Sequence, residues 1–286
     1  MCYSQTSRCR SHQMLMPHLL SIIIPAYNEE KRIGPSLDKI LDFLRSQSYL
    51  SEVIVVNDGS SDDTAHQVTA RMDEYAESGH QLLLFTNMPN RGKGYSVRRG
   101  ISHARGEIIL FTDADLSSPI TEAPKLITPI EEGRADVAFG SRAVDRKLIG
   151  VRQPLMRDFG GRVFNFFMKA ITGLKFRDTQ CGFKAFRREA ALPVFSLQSI
   201  ERFGFDPEVL YIALKQGHSL LEVPVVWNHV EGGELQGKLN YFRDSIKMFS
   251  DLLLIRFNDM TGRYDNPSPE TMVEESSSAE SVTKRQ

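Results

Sequence analysis

The chain has 286 residues, a hydrophobic fraction of 41%, a charged fraction of 25% and a formal net charge of −1. This is the composition of an ordinary globular protein, and without a basic excess it gives no support to nucleic-acid binding. Cys2, Cys9 and Cys181 form no CxxC pair, so neither structural zinc nor a disulfide framework is expected, in keeping with a reducing compartment.

The leading stretch "MCYSQTSRCRSHQMLMPHLL" has basic residues but lacks the apolar region of a signal peptide, and residues 1–17 read as a disordered leader. Translation is expected to begin at Met14 or Met16. No apolar stretch approaches the length of a membrane span. "LLSIIIPAY" (19–27) is a buried strand that Pro25 is expected to break. "SLDKILDFLRSQ" (36–47) has helical spacing, and "SEVIVVND" (51–58) is a second strand. "SSDDTAHQVTARMDEYAESG" (60–79) reads as one helix, from capping residues to a glycine stop. Strand "QLLLFTN" (81–87), short helix "GYSVRRGISHA" (94–104) and strand "GEIILFTDAD" (106–115) follow. A helix over about 119–132 and strand "ADVAFGS" (135–141) complete the first half, residues 18–141.

The second half, 142–262, differs in texture. "RDFGGRVFNFFMKAITG" (157–173) interleaves aromatic and basic residues, and "FDPEVLYIALKQG" (205–217) is a helix closing on glycine. "SLLEVPVVWNH" (219–229) is a strand and "LNYFRDSIKMFSDLLLIRF" (239–257) a long, densely apolar helix. Residues 266–286 are rich in Pro, Ser and Glu and are expected to be disordered. There is no internal repeat.

Strands without polar alternation, separated by helices, imply an α/β fold whose mostly parallel, Rossmann-like sheet carries helices on both faces. Ligands of such sheets bind beyond the carboxyl ends of the strands. "PAYNEE", "NDGSSDD" and "TDADLSSP" all lie at such ends and should converge. In an extended chain Asp113 and Asp115 point the same way, roughly 7 Å apart at Cα. Two like charges so close call for a cation. A divalent metal, Mg²⁺ or Mn²⁺, answers this with few carboxylates and with phosphate oxygens filling its shell; Asp58 is placed to help bind a nucleotide nearby. Helix capping by the two aspartates is the plainer alternative. "NRGKGYS" does not supply a P-loop, no GxGxxG follows the first strand, and a haloacid-type phosphatase would carry its pair after the first strand.

"SIIIPAYNEE", "VIVVNDGSSDDT", "NRGKGYSVRRG", "FTDADLSSP" and "GSR", in this order, resemble the family 2 inverting glycosyltransferases of GT-A fold, over about residues 19–262. "RDTQCGFKAF", "ERFGFDPEVLYIA" and "DLLLIRFNDMTGRY" are similar to the dolichyl-phosphate β-glucosyltransferase branch, relatives of the polyprenyl-phosphate mannose synthases. In the mannose synthases glutamine usually follows the aspartate pair; Ser117 stands there, which favours the glucosyl branch. The resemblance implies a UDP-glucose donor, a divalent metal and a polyprenyl or dolichyl phosphate acceptor. It also implies that Pro25, Tyr27, Glu29 and Asp58 shape the uridine pocket with Lys93 close by, and that Asp113 and Asp115 meet ribose, diphosphate and metal. Arg142, Arg157, Arg202 and Lys238 would then meet diphosphate or the acceptor phosphate. Donor GDP-mannose, a saccharide hydroxyl acceptor, and a non-catalytic nucleotide-sugar or lipid-binding protein remain alternatives.

A phosphate acceptor is already ionised near neutral pH, with a second pKa of about 6, so it needs no general base. What it needs is charge stabilisation by cations. Asp178 could orient the sugar, act as a base, or hold Arg177 or a turn; Cys181 reads as core; His229, lacking a second histidine at metal spacing, reads as structural or sugar-stacking; Arg98 and Arg99 read as solvated. "RVFNFFMKAITGLKFR" (162–177) has the amphipathic make-up of a helix in a membrane interface, which implies a peripheral protein on the cytoplasmic membrane face. The equal alternative is a helix that packs in the core or faces a second copy in a homodimer.

Overall fold

The computed structural model describes residues 20–144, 167–228 and 238–266, without the side chains of 238–246 and 248. The leader, nearly all of the tail, Arg157 and His229 lie outside the described residues.

In chain order the elements are β1 Leu20–Ala26, α1 Ile33–Arg45, β2 Ser51–Asn57, α2 Thr64–Thr69, α3 Met72–Glu77, β3 Gln81–Thr86, α4 Lys93–His103 and β4 Ile108–Phe111. A 3-10 turn Ile120–Glu122, α5 Ala123–Glu131 and β5 Val137–Ser141 follow. The second half adds β6 Lys184–Arg187, α6 Arg188–Leu197, α7 Phe205–Lys215, β7 Leu220–Pro224 and α8 Lys238–Met260; residues 167–172 are also helical.

The seven strands form one sheet in the order β3-β2-β1-β4-β6-β5-β7. Neighbours are parallel except that β6 runs antiparallel to both β4 and β5. Alternate residues feed two cores. Ile22, Ile24, Val53, Val55 and Leu110 pack with α1, α2, α3 and α5. Ile23, Ile54, Val56, Ile109 and Phe111 pack with α4, α6, α7 and α8. Each fully buried Ile, Val, Leu or Phe contributes about 1.5–3 kcal/mol, so the apolar runs that read as strands are also what clamps helices to both faces.

Four local features depart from the sequence reading. First, β1 is not broken at Pro25; it pairs with β2 through Ala26. The carbonyl of Ile23 accepts from Thr112 on the β4 side, and that of Ala26 accepts from Asp58 on the β2 side. By strand alternation Pro25 faces the β4 side, where pairing has already ended at Ile23–Phe111, so its missing N–H costs no ladder bond.

Second, the stretch 60–79 forms two short helices, not one. Thr69 Oγ1 bonds back to the carbonyl of His66 at 3.1 Å, and the break at Ala70–Arg71 lets the buried Tyr75 hydroxyl donate to the carbonyl of Leu37 at 2.7 Å. Third, β4 stops at Phe111, so Asp113 and Asp115 stand in a turn beyond the strand. Leu116 N–H closes that turn on the Asp113 carbonyl at 3.1 Å, with Leu116 at φ 48°. Fourth, β6 and α6 were not anticipated, and β7 covers only 220–224 of the expected 219–229. Because β6 is antiparallel, the segment that precedes it, residues 178–183, arrives at the same sheet edge as the ends of its parallel neighbours.

A buried carboxylate fastens the turn that carries Arg202. Glu208 on α7 accepts from Ser199 N–H and Oγ, Ile200 N–H and the Tyr264 hydroxyl, between 2.6 and 3.0 Å. Asn258 on α8 donates to Ser199 Oγ and to the Tyr264 hydroxyl. Burial still outweighs these donors and lifts the Glu208 pKa above its ordinary value.

Candidate active site

The loops after β1 and β2 interlock. Asn28 N–H donates to Ser60 Oγ, Ser61 N–H to Asn28 Oδ1 at 2.9 Å, Glu29 N–H to Thr64 Oγ1 at 2.8 Å, and Glu30 N–H to Asp62. Glu29 is held by Arg32 at 2.5 Å. Burial lifts the Glu29 pKa against the pull of Arg32, and the carboxylates of Asp115 and Asp113 add to the rise. Glu29 thus lies within the field of both aspartates. Above this crossing Pro25 is half-buried and Tyr27 is 49% exposed.

Asp58 is buried at the end of β2, and its carboxylate is fully engaged. It accepts from Asn87 Nδ2 at 2.8 Å, from Arg91 N–H at 3.0 Å and from Gly92 N–H at 2.7 Å. Arg99, read as solvated, reaches Asn87 Oδ1 and so supports this arrangement, while Arg98 donates to the Gln198 carbonyl. The turn fixed by Asp58 delivers Lys93 at the start of α4. Gly92 has φ 111°, and a β-carbon there would lie 2.6 Å from the Glu201 carbonyl and 2.9 Å from Arg202 Cγ. This close approach brings the exposed Arg202 beside the Lys93 turn.

Lys93 Nζ contacts Asp113 Oδ1 at 2.5 Å. Burial opposes the lysine charge, yet the carboxylates of Asp113 and Asp206 outweigh it and raise the Lys93 pKa. Asp206 is in turn ion-paired with Lys184, both buried, and Lys184 also donates to the Cys181 carbonyl at 2.6 Å. The charges therefore alternate from the edge inward: Asp113, Lys93, Asp206, Lys184. Asp115 Oδ1 accepts one backbone N–H, that of Ser117, at 2.9 Å. Neither aspartate caps the turn at Ile120 or α5, both of which lack a side-chain cap.

At the end of β5, Arg142 meets Asp178 through two parallel bonds, Nε at 2.6 Å and Nη2 at 2.9 Å, and donates its backbone N–H at 3.1 Å. Gln180 N–H adds a fourth donor to Asp178 at 3.1 Å. Burial alone would raise the Asp178 pKa, but the guanidinium outweighs it and holds the carboxyl below its ordinary value of 3.8. The partner is Arg142; Arg177 instead points its backbone N–H at Glu222. The Trp227 ring lies 5.6 Å from the Arg142 guanidinium, and Asn228 N–H donates to the Ser117 carbonyl at 2.8 Å, tying the end of β7 to the aspartate turn. Cys181 is a core residue whose thiol burial pushes up to about 11.

The sheet edge thus assembles Glu29, Lys93, Asp113, Asp115, Arg142 and Asp178, with Arg202 at its rim. Lys238 opens α8, its side chain outside the description. Gly182, Lys184 and Asp206 were missed from sequence; the glycine and lysine of "CGFK" at a strand start were the available signal.

Two half-exposed carboxylates, with no cluster of three or more His, Cys, Asp or Glu among the described residues, suit a hard divalent cation that takes its other oxygens from a ligand. They do not suit a closed structural zinc site.

Residues 21–195 match the profile of "Glycosyl transferase family 2". Over 253 residues the chain is 36% identical to "Dolichyl-phosphate beta-glucosyltransferase" of Dictyostelium discoideum, covering 85% of this chain and 75% of that one. The mouse protein of the same description is 37% identical over 86% of this chain and 77% of its own length. Among solved structures, glucosyl-3-phosphoglycerate synthase from Mycobacterium tuberculosis, in complex with Mn²⁺ and uridine-diphosphate-glucose, superimposes with a TM-score of 0.60. The match is at 20% identity and covers 83% of this chain and 79% of that one, so it speaks to the GT-A fold alone. The chain belongs to glycosyltransferase family 2, within the sequence group of the dolichyl-phosphate β-glucosyltransferases, and is a glycosyltransferase.

Proposed function

We propose that the protein is an inverting glucosyltransferase that moves glucose from UDP-glucose to a dolichyl or related polyprenyl phosphate, giving a β-linked lipid phosphate sugar. The names of its relatives support the acceptor, and the uridine-diphosphate-glucose bound by a structural neighbour supports the donor. The observation that carries the acceptor reading is the state of Asp178. Both of its oxygens are occupied by Arg142 and its pKa is depressed, so it is a poor general base. A hydroxyl acceptor would need a base; an ionised phosphate needs cations.

In this reading Lys93, Arg142 and Arg202 meet the phosphates of donor and acceptor, joined, by resemblance, by Arg157 and Lys238. Arginine suits that task through its planar fork of donors. Asp178 keeps the Arg142 fork in one orientation. Pro25, Tyr27 and Glu29 border the nucleoside, and Asp58 acts through the Lys93 turn. Asp113 and Asp115 would hold Mg²⁺ or Mn²⁺, which when bound takes up charge on the departing diphosphate. Inversion follows from direct attack by the acceptor phosphate on the face of the anomeric carbon opposite the diphosphate.

Donor choice is tested by thermal shift with UDP-glucose against GDP-mannose, each with Mn²⁺. A shift with UDP-glucose alone is expected; a shift with GDP-mannose alone would move the protein to the mannosyl reading.

A lipid acceptor also calls for a membrane surface. No helix among the described residues is long and apolar enough to cross a membrane. Instead α8 exposes Phe249, Leu253, Phe257 (63%) and Met260 (80%) along one face, at spacings of four, four and three residues. Exposed Phe167 stacks edge-on against Phe249 at 5.3 Å, and Phe203 is exposed next to Arg202. Of the segment read as interfacial, residues 167–177 are described, and there Phe167 is exposed and Met168 buried. A contiguous exposed apolar face favours an interfacial role. We expect the protein to float with anionic liposomes, and Leu253→Ser with Phe257→Ser to lower the bound fraction at least about tenfold. Wild type that stays with the soluble fraction would contradict this.

A further inference from the structure

We propose that Gly182 is a positioning residue for Asp113: its bare α-carbon is the seat against which that carboxylate is held. The proposal rests on the reading that Asp113 serves the donor and its metal.

Gly182 is absent from the glycines with positive φ, so backbone conformation does not demand glycine at this position. Space does. A β-carbon built on Gly182 would lie 2.6 Å from Asp113 Cγ and 2.7 Å from Oδ1, with Oδ2 closer still. The three nearest atoms all belong to that one carboxylate. The same carboxylate meets Lys93 Nζ through Oδ1 at 2.5 Å. It is therefore fixed by an ammonium group and packed on a glycine.

Both holders are anchored below. Lys93 feels Asp206 as well as Asp113, and Asp206 is ion-paired with Lys184. Lys184 donates to the carbonyl of Cys181, the residue before Gly182. The turn leading into β6 thus sets two charges of the site. Asp178, at its start, orients Arg142, and Gly182, four residues on, seats Asp113. An antiparallel strand at this point in the sheet is what brings that turn to the carboxylate edge.

The test is a thermal cycle combined with a metal titration. Gly182→Ala in the otherwise native chain forces the part-exposed Asp113 carboxylate to move off its seat, and Tm is expected to fall by about 2–4 °C. In an Asp113→Ala background the space is free, and adding Gly182→Ala should leave Tm unchanged or slightly raised. Mn²⁺ affinity in the presence of UDP, read by electron paramagnetic resonance, should fall at least about tenfold in Gly182→Ala; kcat/KM for the donor should fall by about 100-fold, as for a displaced catalytic group. An equal drop in Tm in both backgrounds would make Gly182 a matter of backbone packing and overturn the proposal, as would unchanged Mn²⁺ affinity. Wild type that binds no Mn²⁺ would defeat the metal reading, while the thermal cycle would still decide whether Gly182 seats Asp113.

Discussion

Asp115→Ala is expected to leave the fold intact and to lower glucose transfer by about two to three orders of magnitude, the range seen when a preorganised electrostatic group is removed. The two halves of that expectation have separate grounds. Asp115 is half-exposed and, among the described residues, accepts a single hydrogen bond, from Ser117 N–H in the same turn, so alanine opens no cavity and strands no buried charge. Its neighbour Asp113 is already committed to Lys93 and packed on Gly182. Asp115 is therefore the more available ligand of the pair. Initial rates together with circular dichroism check both halves, and undiminished turnover would remove the aspartate pair from the reaction.

Asp178→Asn is expected to hurt stability as much as activity. Asp178 is 8% exposed and receives four donors, three from Arg142 and one from Gln180. Asparagine keeps the shape but removes the charge, leaving the half-buried Arg142 guanidinium without its counter-ion. Breaking a buried pair from one side typically costs on the order of 3 kcal/mol. A urea titration should show that loss, and transfer should fall because Arg142 is no longer fixed.

The pH dependence has a definite sign. Since the folded pKa of Asp178 is depressed below 3.8, the pair's contribution is present above that ordinary value and is lost as pH falls through the folded one. The wild type should therefore show the pair's stabilisation at pH 5 as fully as at pH 7, and the variant should lack it at both. A variant as stable as wild type at neutral pH would contradict the assignment.

Much of the first half was legible because its strands are uninterrupted apolar runs ending in polar signatures. The ends of β1, β2 and β4 were expected to converge, and "PAYNEE" meets "NDGSSDD" through hydrogen bonds that Asn28 and Glu30 make with Ser60, Ser61, Asp62 and Asp63. The second half hid its chemistry in pairs distant along the chain. Arg142 and Asp178 are 36 residues apart. Lys184 looks like a surface residue in "KAFR", yet it is fully buried because Asp206, 22 residues on, neutralises it; no apolar pattern marks such a strand.

The aspartate pair does not have the geometry expected for it. The extended chain invoked to align Asp113 with Asp115 is a turn with Leu116 at φ 48°, a conformation few non-glycine residues adopt and none announces. Asp58 shows a different limit. The motif marks the position, but only the fold shows that its carboxylate is consumed by the backbone of residues 91 and 92.

The most direct test is transfer of radiolabelled glucose from UDP-glucose into a short polyprenyl phosphate by the purified full-length protein, with and without chelator. Label should partition into the organic phase as the lipid phosphate sugar, vanish with EDTA, and return with Mn²⁺ or Mg²⁺. Full-rate transfer in EDTA, or label carried only into a saccharide, would contradict a metal-assisted transfer to lipid phosphate.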